Sequence, residues 1–183
     1  MPKKPQILST QSLAKTKLFE VESVHLQFAN GQLRHFERLK RSNSKKSAVM
    51  IAPLLDNDTV LLVREYGAGM EDYYLGLPKG IVEVDEDVLV AANRELMEEV
   101  GYGAKSLKLI KRLSLSPGYM LRAVGLVLAQ DLYEKKLIGD EPEPLEVVPW
   151  RLSQLEQLLA REDFHEATSI AALFMIRELL RGE

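Results

Sequence analysis

The 183-residue sequence has no cysteine, one tryptophan and three histidines. Without cysteine there is neither a disulfide nor a thiolate metal site, and a reducing, cytoplasmic setting is expected. His25, His35 and His165 are scattered with no ligand spacing, so none is given a catalytic role. No apolar run is long enough to span a bilayer; the longest lies around Val49 to Leu55. The segment Met1-Pro2-Lys3-Lys4-Pro5 is basic but leads into polar residues, so no secretory signal and no membrane partner are expected. An overall basic field is missing as well. The net charge of -3 speaks against a nucleic-acid partner.

What is present is the composition of an ordinary globular protein, 46% hydrophobic and 28% charged. The length suits one compact domain able to bury roughly 70% of its unfolded surface. Two basic stretches, Arg38, Lys40, Arg41, Lys45 and Lys46 and then Lys108, Lys111 and Arg112, read as solvated loop and strand edges.

Leu18 to Phe28 alternates as a strand, Asn30-Gly31 is a hairpin signal, and Gln32 to Leu39 should pair back. A polar stretch, Lys40 to Lys46, separates this hairpin segment (residues 1–46) from the main domain (47–183). Ala48 to Leu55 and Thr59 to Tyr66 read as buried strands around Asp56-Asn57-Asp58, and Gly67 to Lys79 as a loop-rich segment. A helix is expected over Asp87 to Val100, with acidic residues before it and Gly101 as its stop. Leu107 to Leu115, Val124 to Gln130 and Glu146 to Trp150 read as strands, and Leu152 to Ala160 and Ala167 to Leu180 as helices. The pattern indicates an α+β fold around a mixed sheet.

On that helix, at about 100° per residue, Leu89, Ala92, Leu96 and Val100 form a core stripe. Glu95, Glu98 and Glu99 fall together on one flank, and Ala91 beside them should leave room for a ligand. Three crowded carboxylates repel one another, and a hard divalent cation reverses the sign of that effect by sharing their oxygens with a phosphate.

The run from Gly80 to Tyr102, GIVEVDEDVLVAANRELMEEVGY, resembles the Nudix box, Gly-x5-Glu-x7-Arg-Glu-U-x-Glu-Glu-x-Gly-U with U a bulky aliphatic residue. Gly80, Glu86, Arg94, Glu95, Glu98, Glu99 and Gly101 fill the fixed positions, and Tyr102 departs mildly as an aromatic U. Seven identities at ~6% each would coincide by chance about once in a million such chains. The resemblance implies an α/β/α sandwich around a mixed sheet. It also implies a hydrolase of nucleoside diphosphates linked to another group, acting with Mg²⁺ (Mn²⁺ as a substitute). Glu95 and Glu99 would be the main metal ligands, Glu98 a further ligand or base, and the carbonyl of Lys79 an additional ligand, while Glu86 would lock onto Arg94.

Outside the box, Arg64-Glu65-Tyr66, Leu77-Pro78-Lys79-Gly80 and Pro117 in Ser116-Pro117-Gly118-Tyr119 resemble the ADP-ribose pyrophosphatase branch, with Lys79 replacing that branch's alanine. Asp140-Glu141-Pro142-Glu143 resembles its mobile Glu-x-Glu loop, which makes Glu141 a base candidate and Glu143 an auxiliary ligand; Pro142 and Pro144 should stiffen that loop. The runs AANRELMEEVGYGA, VLAQDLY and GDEPEPL resemble the branch's bacterial hydrolases of ADP compounds. That likeness implies ADP-ribose, NADH and diadenosine polyphosphates as substrates, with AMP released. Arg64 would pair with phosphate, and Tyr66, Tyr73 or Tyr119 would stack on adenine. A homodimer with exchanged N-terminal strands is expected. Two alternatives share the resemblance: a catalytically silent ADP-ribose sensor and a hydrolase of sugar nucleotides.

Overall fold

The computed structural model describes residues 2–42 and 46–182. These form two compact units. The first, Met1–Ser47 with Ser114–Ala123, is built on three antiparallel strands, β1 (Gln6–Lys15), β2 (Phe19–Gln27) and β3 (Leu33–Arg41), in that order. The expected hairpin is present as β2 and β3, with His25 opposite His35. Its turn needs Gly31, whose φ of 82° suits glycine, and Asn30 accepts the amide of Gln32 at 3.1 Å. β1 is an addition to the expected hairpin. Every one of its residues is exposed, so no buried face marks it in the sequence. The unit also takes in Ser114–Ala123, which a boundary drawn at residue 46 leaves out. Of the polar stretch Lys40 to Lys46, residues 43–45 lie outside the described residues.

The second unit holds the remaining strands: β4 (Ser47–Pro53), β5 (Thr59–Gly67), β6 (Asp72–Gly76), β7 (Lys79–Val82), β8 (Tyr102–Ser114), β9 (Ala123–Glu134) and β10 (Glu146–Arg151). They make two sheets, ordered β10-β5-β6 and β7-β4-β9-β8; β4 and β9 run parallel, so the second is mixed. β6 and the start of β7 fall inside the segment expected to be loop. The helices are α1 (Val88–Glu95), α2 (Leu155–Leu159) and α3 (Ala167–Arg181).

Strand parity divides the interior. Met50, Ala52, Leu62, Leu126 and Leu128 face a core closed by Leu155, Leu158, Leu173 and Ile176 of α2 and α3. Their alternates, Val49, Ile51, Leu61, Val63 and Val127, face α1 through Ala91, Ala92 and Leu96. This is the expected sandwich, helices on both faces of a strand layer. Ala91 is a correction: it is fully buried in that second core, where its small side chain lets α1 approach the strands, and it leaves no opening for a ligand.

Candidate active site

α1 starts on Asp87, whose side chain accepts the amides of Leu89 at 2.8 Å and Val90 at 3.3 Å. With Ala91, Ala92 and Leu96 anchored in the core, the helix has one permitted rotation, and Glu95, Glu98 and Glu99 project to one side of it. The helix does not continue regularly to residue 100. Leu96–Val100 forms a wider π-turn, closed by the Gly101 amide donating to Leu96 O five residues back at 3.2 Å. Gly101 at φ 84° then reverses the chain. Two of the three glutamates, Glu98 and Glu99, therefore sit on the turn that departs from α geometry.

These carboxylates line a cavity of about 580 Å³ together with Glu65, Lys79, Gly80 and the segment from Ile138 to Pro142. Glu95 and Glu99 are buried, and the Lys79 amide donates to Glu99 Oε2 at 3.2 Å. Burial, then the charges of Glu95 and Glu65, push the Glu99 carboxyl up to about 9. Burial also raises Glu95, against the pull of Arg94.

Arg94 is the cation that organises the group. Its Nε and Nη2 reach the two carboxylate oxygens of Glu86 at 3.0 and 3.2 Å, and Nη2 also donates to Ile81 O at 2.9 Å. Its Nη1 lies 2.8 Å from Glu95 Oε1 and 2.9 Å from Glu98 Oε2. The expected lock between Glu86 and Arg94 is thus present as a bidentate pair, and it holds the Glu86 carboxyl below the usual carboxylate range.

Among the described residues no three acidic or histidine side chains converge at metal-ligating distances; Arg94 Nη1 lies between Glu95 and Glu98 instead. The donor set nevertheless fits a hard divalent cation. Its atoms are carboxylate oxygens of Glu65, Glu95, Glu98, Glu99 and Glu141, hard donors of the kind such a cation takes.

Family models match both parts of the chain: the NudE-type Nudix hydrolase N-terminal domain over residues 5–38 and the NUDIX domain over residues 44–173. The chain belongs to the Nudix hydrolase family. It is 48% identical over 180 residues to the ADP compounds hydrolase NudE of Escherichia coli (strain K12), across 98% of this chain and 95% of that protein. It is 28% identical over 181 residues to an ADP-ribose pyrophosphatase of Bacillus subtilis (strain 168), across 96% and 98%. A crystal structure of an ADP compounds hydrolase superposes with a TM-score of 0.89 at 47% identity, covering 100% of this chain and 97% of that one. Members of this family use divalent metal ions. No helix among the described residues is long and apolar enough to cross a membrane.

The Nudix cavity gathers Lys79, Glu95, Glu98, Glu99 and Glu141 of the residues picked out by sequence, with Arg94 at its wall. Other expected residues lie elsewhere. Arg64 is on the opposite side of β5 from Leu61, Val63 and Glu65; its Nε meets Glu146 and its Nη1 meets Asp163, each at 2.7 Å. Tyr66 packs edge-on to Tyr73 at 5.4 Å, and the Tyr73 hydroxyl donates to Glu143 Oε1 at 2.6 Å. Pro117 and Tyr119 belong to the first unit, where they line an apolar cavity with Phe28 and Phe36.

Sequence reasoning gave no role to Glu65, although strand parity assigns it to the face of Leu61 and Val63, toward α1. It also missed the groups behind the cavity. The Tyr74 hydroxyl donates to Glu65 Oε2 at 2.9 Å, Lys79 Nζ donates to Tyr74 Oη at 3.1 Å, and the same ammonium lies 3.8 Å from Glu166. Glu166 also caps α3 through the amides of Thr168 and Ser169. No local pattern announces these links, because they join residues far apart in the chain.

Proposed function

We propose that this Nudix hydrolase cleaves the pyrophosphate bond of ADP-linked compounds, ADP-ribose, NADH and diadenosine polyphosphates, with Mg²⁺, and releases AMP. The observation that carries the reading is the convergence of Glu65, Glu95, Glu98, Glu99 and Glu141 on one cavity in a chain similar over its length to an ADP compounds hydrolase. Glu95 and Glu99 would hold the ion, with Glu98, the Lys79 carbonyl and Glu143 as further ligands. When bound, Mg²⁺ neutralises charge on the phosphate oxygens; Mn²⁺ offers the same chemistry.

The residues of the chain divide the remaining work. Glu141 takes a proton from the attacking water as its oxygen bonds to phosphorus and the bridging phosphorus–oxygen bond breaks toward the other phosphate. Glu98 is the weaker base candidate, because Arg94 holds its Oε2. Arg94 and Glu86 position the glutamates. A contact of Arg64 with phosphate would replace one of its present acidic partners. Tyr66, Tyr73 and Tyr119 are the adenine candidates.

The exposed Ile7, Leu8, Leu13, Leu33 and Phe36 of the first unit support a homodimer with exchanged N-terminal strands, and the lack of cysteine supports a cytoplasmic setting. Light scattering that gave a monomer mass at micromolar protein would reject that assembly. The activity is tested by a panel of ADP-ribose, NADH, diadenosine polyphosphates and sugar nucleotides with Mg²⁺, read as AMP release. Release of AMP from the ADP compounds, lost in Glu99→Gln, is expected; binding of ADP-ribose without release would instead make the protein a sensor.

A further inference from the structure

β5 contributes a carboxylate of its own, Glu65, to the Nudix cavity. Val63, two residues earlier on the same face, packs in one core with Leu96 and Val100, so the strand delivers Glu65 beside the π-turn that carries Glu98 and Glu99.

Tyr74 stands opposite Glu65 in the register of β5 and β6, and the two side chains therefore share a face. Its ring fills a slot between Gly67 and Gly76. A β-carbon at Gly67 would approach the ring to 3.1 Å, and one at Gly76 to 3.2 Å, both inside ordinary van der Waals contact. The Tyr74 hydroxyl lies 2.9 Å from Glu65 Oε2 and 3.1 Å from Lys79 Nζ. An ammonium can only donate, so the hydroxyl oxygen accepts from Lys79 and its single proton is directed to Glu65. Lys79 is itself held from α3: its ammonium is 3.8 Å from Glu166 Oε2, and the Leu77 amide, two residues earlier, donates to Ser169 Oγ at 2.9 Å. The direction of the hydroxyl is thus set by the fold. It occupies Oε2 of Glu65, while Oε1 accepts no hydrogen bond among the described residues.

We propose that Glu65 is a further carboxylate of the divalent-cation site, contributing Oε1, and that Tyr74 is the residue that positions it. A hard cation takes carboxylate oxygens, and a carboxylate that ligates a metal is oriented by a hydrogen bond to its other oxygen, which Tyr74 supplies. The assignment rests on the reading of the Nudix cavity as the cation site.

The test is Mn²⁺ binding to the full chain without substrate, after removal of metal, read from the EPR signal of the free ion. Glu65→Gln should raise the dissociation constant by about 10-fold or more, and Tyr74→Phe by about 10-fold. The double variant should bind no more weakly than Glu65→Gln alone, because Tyr74 acts only through that carboxylate. Weaker binding in the double variant would reduce Tyr74 to a structural residue and overturn its part. Glu156→Gln, which removes an exposed carboxylate of α2, should bind as the wild type does. Glu99→Gln separates the two readings. If it weakens Mn²⁺ binding and Glu65→Gln does not, Glu65 is no ligand and the cavity keeps its assignment. If the wild type binds no Mn²⁺, or Glu99→Gln binds it undiminished, both readings fall.

Discussion

The carboxyl group of Glu95 occupies the space that a side chain on Gly80 would need: a β-carbon at residue 80 overlaps all three of its carboxyl atoms. Glycine at the head of the Nudix box thus sets how deeply Glu95, the first of the proposed metal ligands, reaches toward β7. Gly80→Ala must displace Glu95. A shift of an ångström at a reacting centre costs on the order of 100-fold in rate, so a drop of that size in turnover is expected. Gly118→Ala, where an added β-carbon meets nothing within 4 Å, should change turnover less than twofold. Steady-state kinetics on both variants decides; equal rates would reject the packing argument.

Glu99 yields a prediction about pH and metal. Its carboxyl is pushed up to about 9 in the folded chain, above its unfolded value near 4.5. The folded state therefore holds this proton more tightly than the unfolded one, and its stabilising effect is complete below about pH 4.5. That stability is lost as pH rises toward 9, by up to about 1.36 kcal/mol per unit. Metal-free Glu99→Gln should be less sensitive to pH than the wild type and more stable than it at pH 8, while its turnover falls by orders of magnitude. Denaturant melts in EDTA from pH 5 to 9 test this. A variant less stable than the wild type at pH 8 contradicts the buried-charge account.

Arg94 makes contacts that lysine cannot reproduce. One planar group reaches both oxygens of Glu86, the Ile81 carbonyl, and the carboxylates of Glu95 and Glu98. Arg94→Lys should lose 10- to 100-fold in turnover and about 1–3 kcal/mol of stability, through partners left unpaired. Adding Glu86→Gln should cost little more than either change alone, because both break the same clamp. Additive losses in turnover would show that Glu86 acts independently.

The parts of this molecule that were legible in the sequence are those set by local spacing. The run Gly80 to Gly101 carries its glycines, glutamates and Arg94 at fixed separations, and the Asn30-Gly31 turn announces its own hairpin. What could not be read depends on contacts distant in the chain. Arg64 finds Glu146 and Asp163, 82 and 99 residues away, and Ser169 of α3 receives the amide of Leu77. β1 escaped because it buries no residue that could set a period. Parity along β5 nevertheless separates Arg64 from Glu65: consecutive residues of one strand point to opposite faces.

Glu143 bears on how the acidic loop works. Its Oε1 accepts the Tyr73 hydroxyl at 2.6 Å, and it does not line the cavity that Glu141 enters two residues earlier. To serve as an auxiliary ligand it must exchange Tyr73 for the ion, so Tyr73 competes with metal. A hydrogen bond of this kind contributes roughly 0.5–1.5 kcal/mol net. Tyr73→Phe should therefore lower the Mg²⁺ concentration for half-maximal activity by about 2- to 10-fold, and Glu143→Gln should raise it. In the double variant the effect of Tyr73→Phe should vanish, because the carboxylate it frees is no longer a ligand. Titration of activity with Mg²⁺ on the three variants separates this from adenine stacking by Tyr73, whose loss would raise KM and leave the metal midpoint in place. An unchanged midpoint in Tyr73→Phe would remove Glu143 from the ligand set.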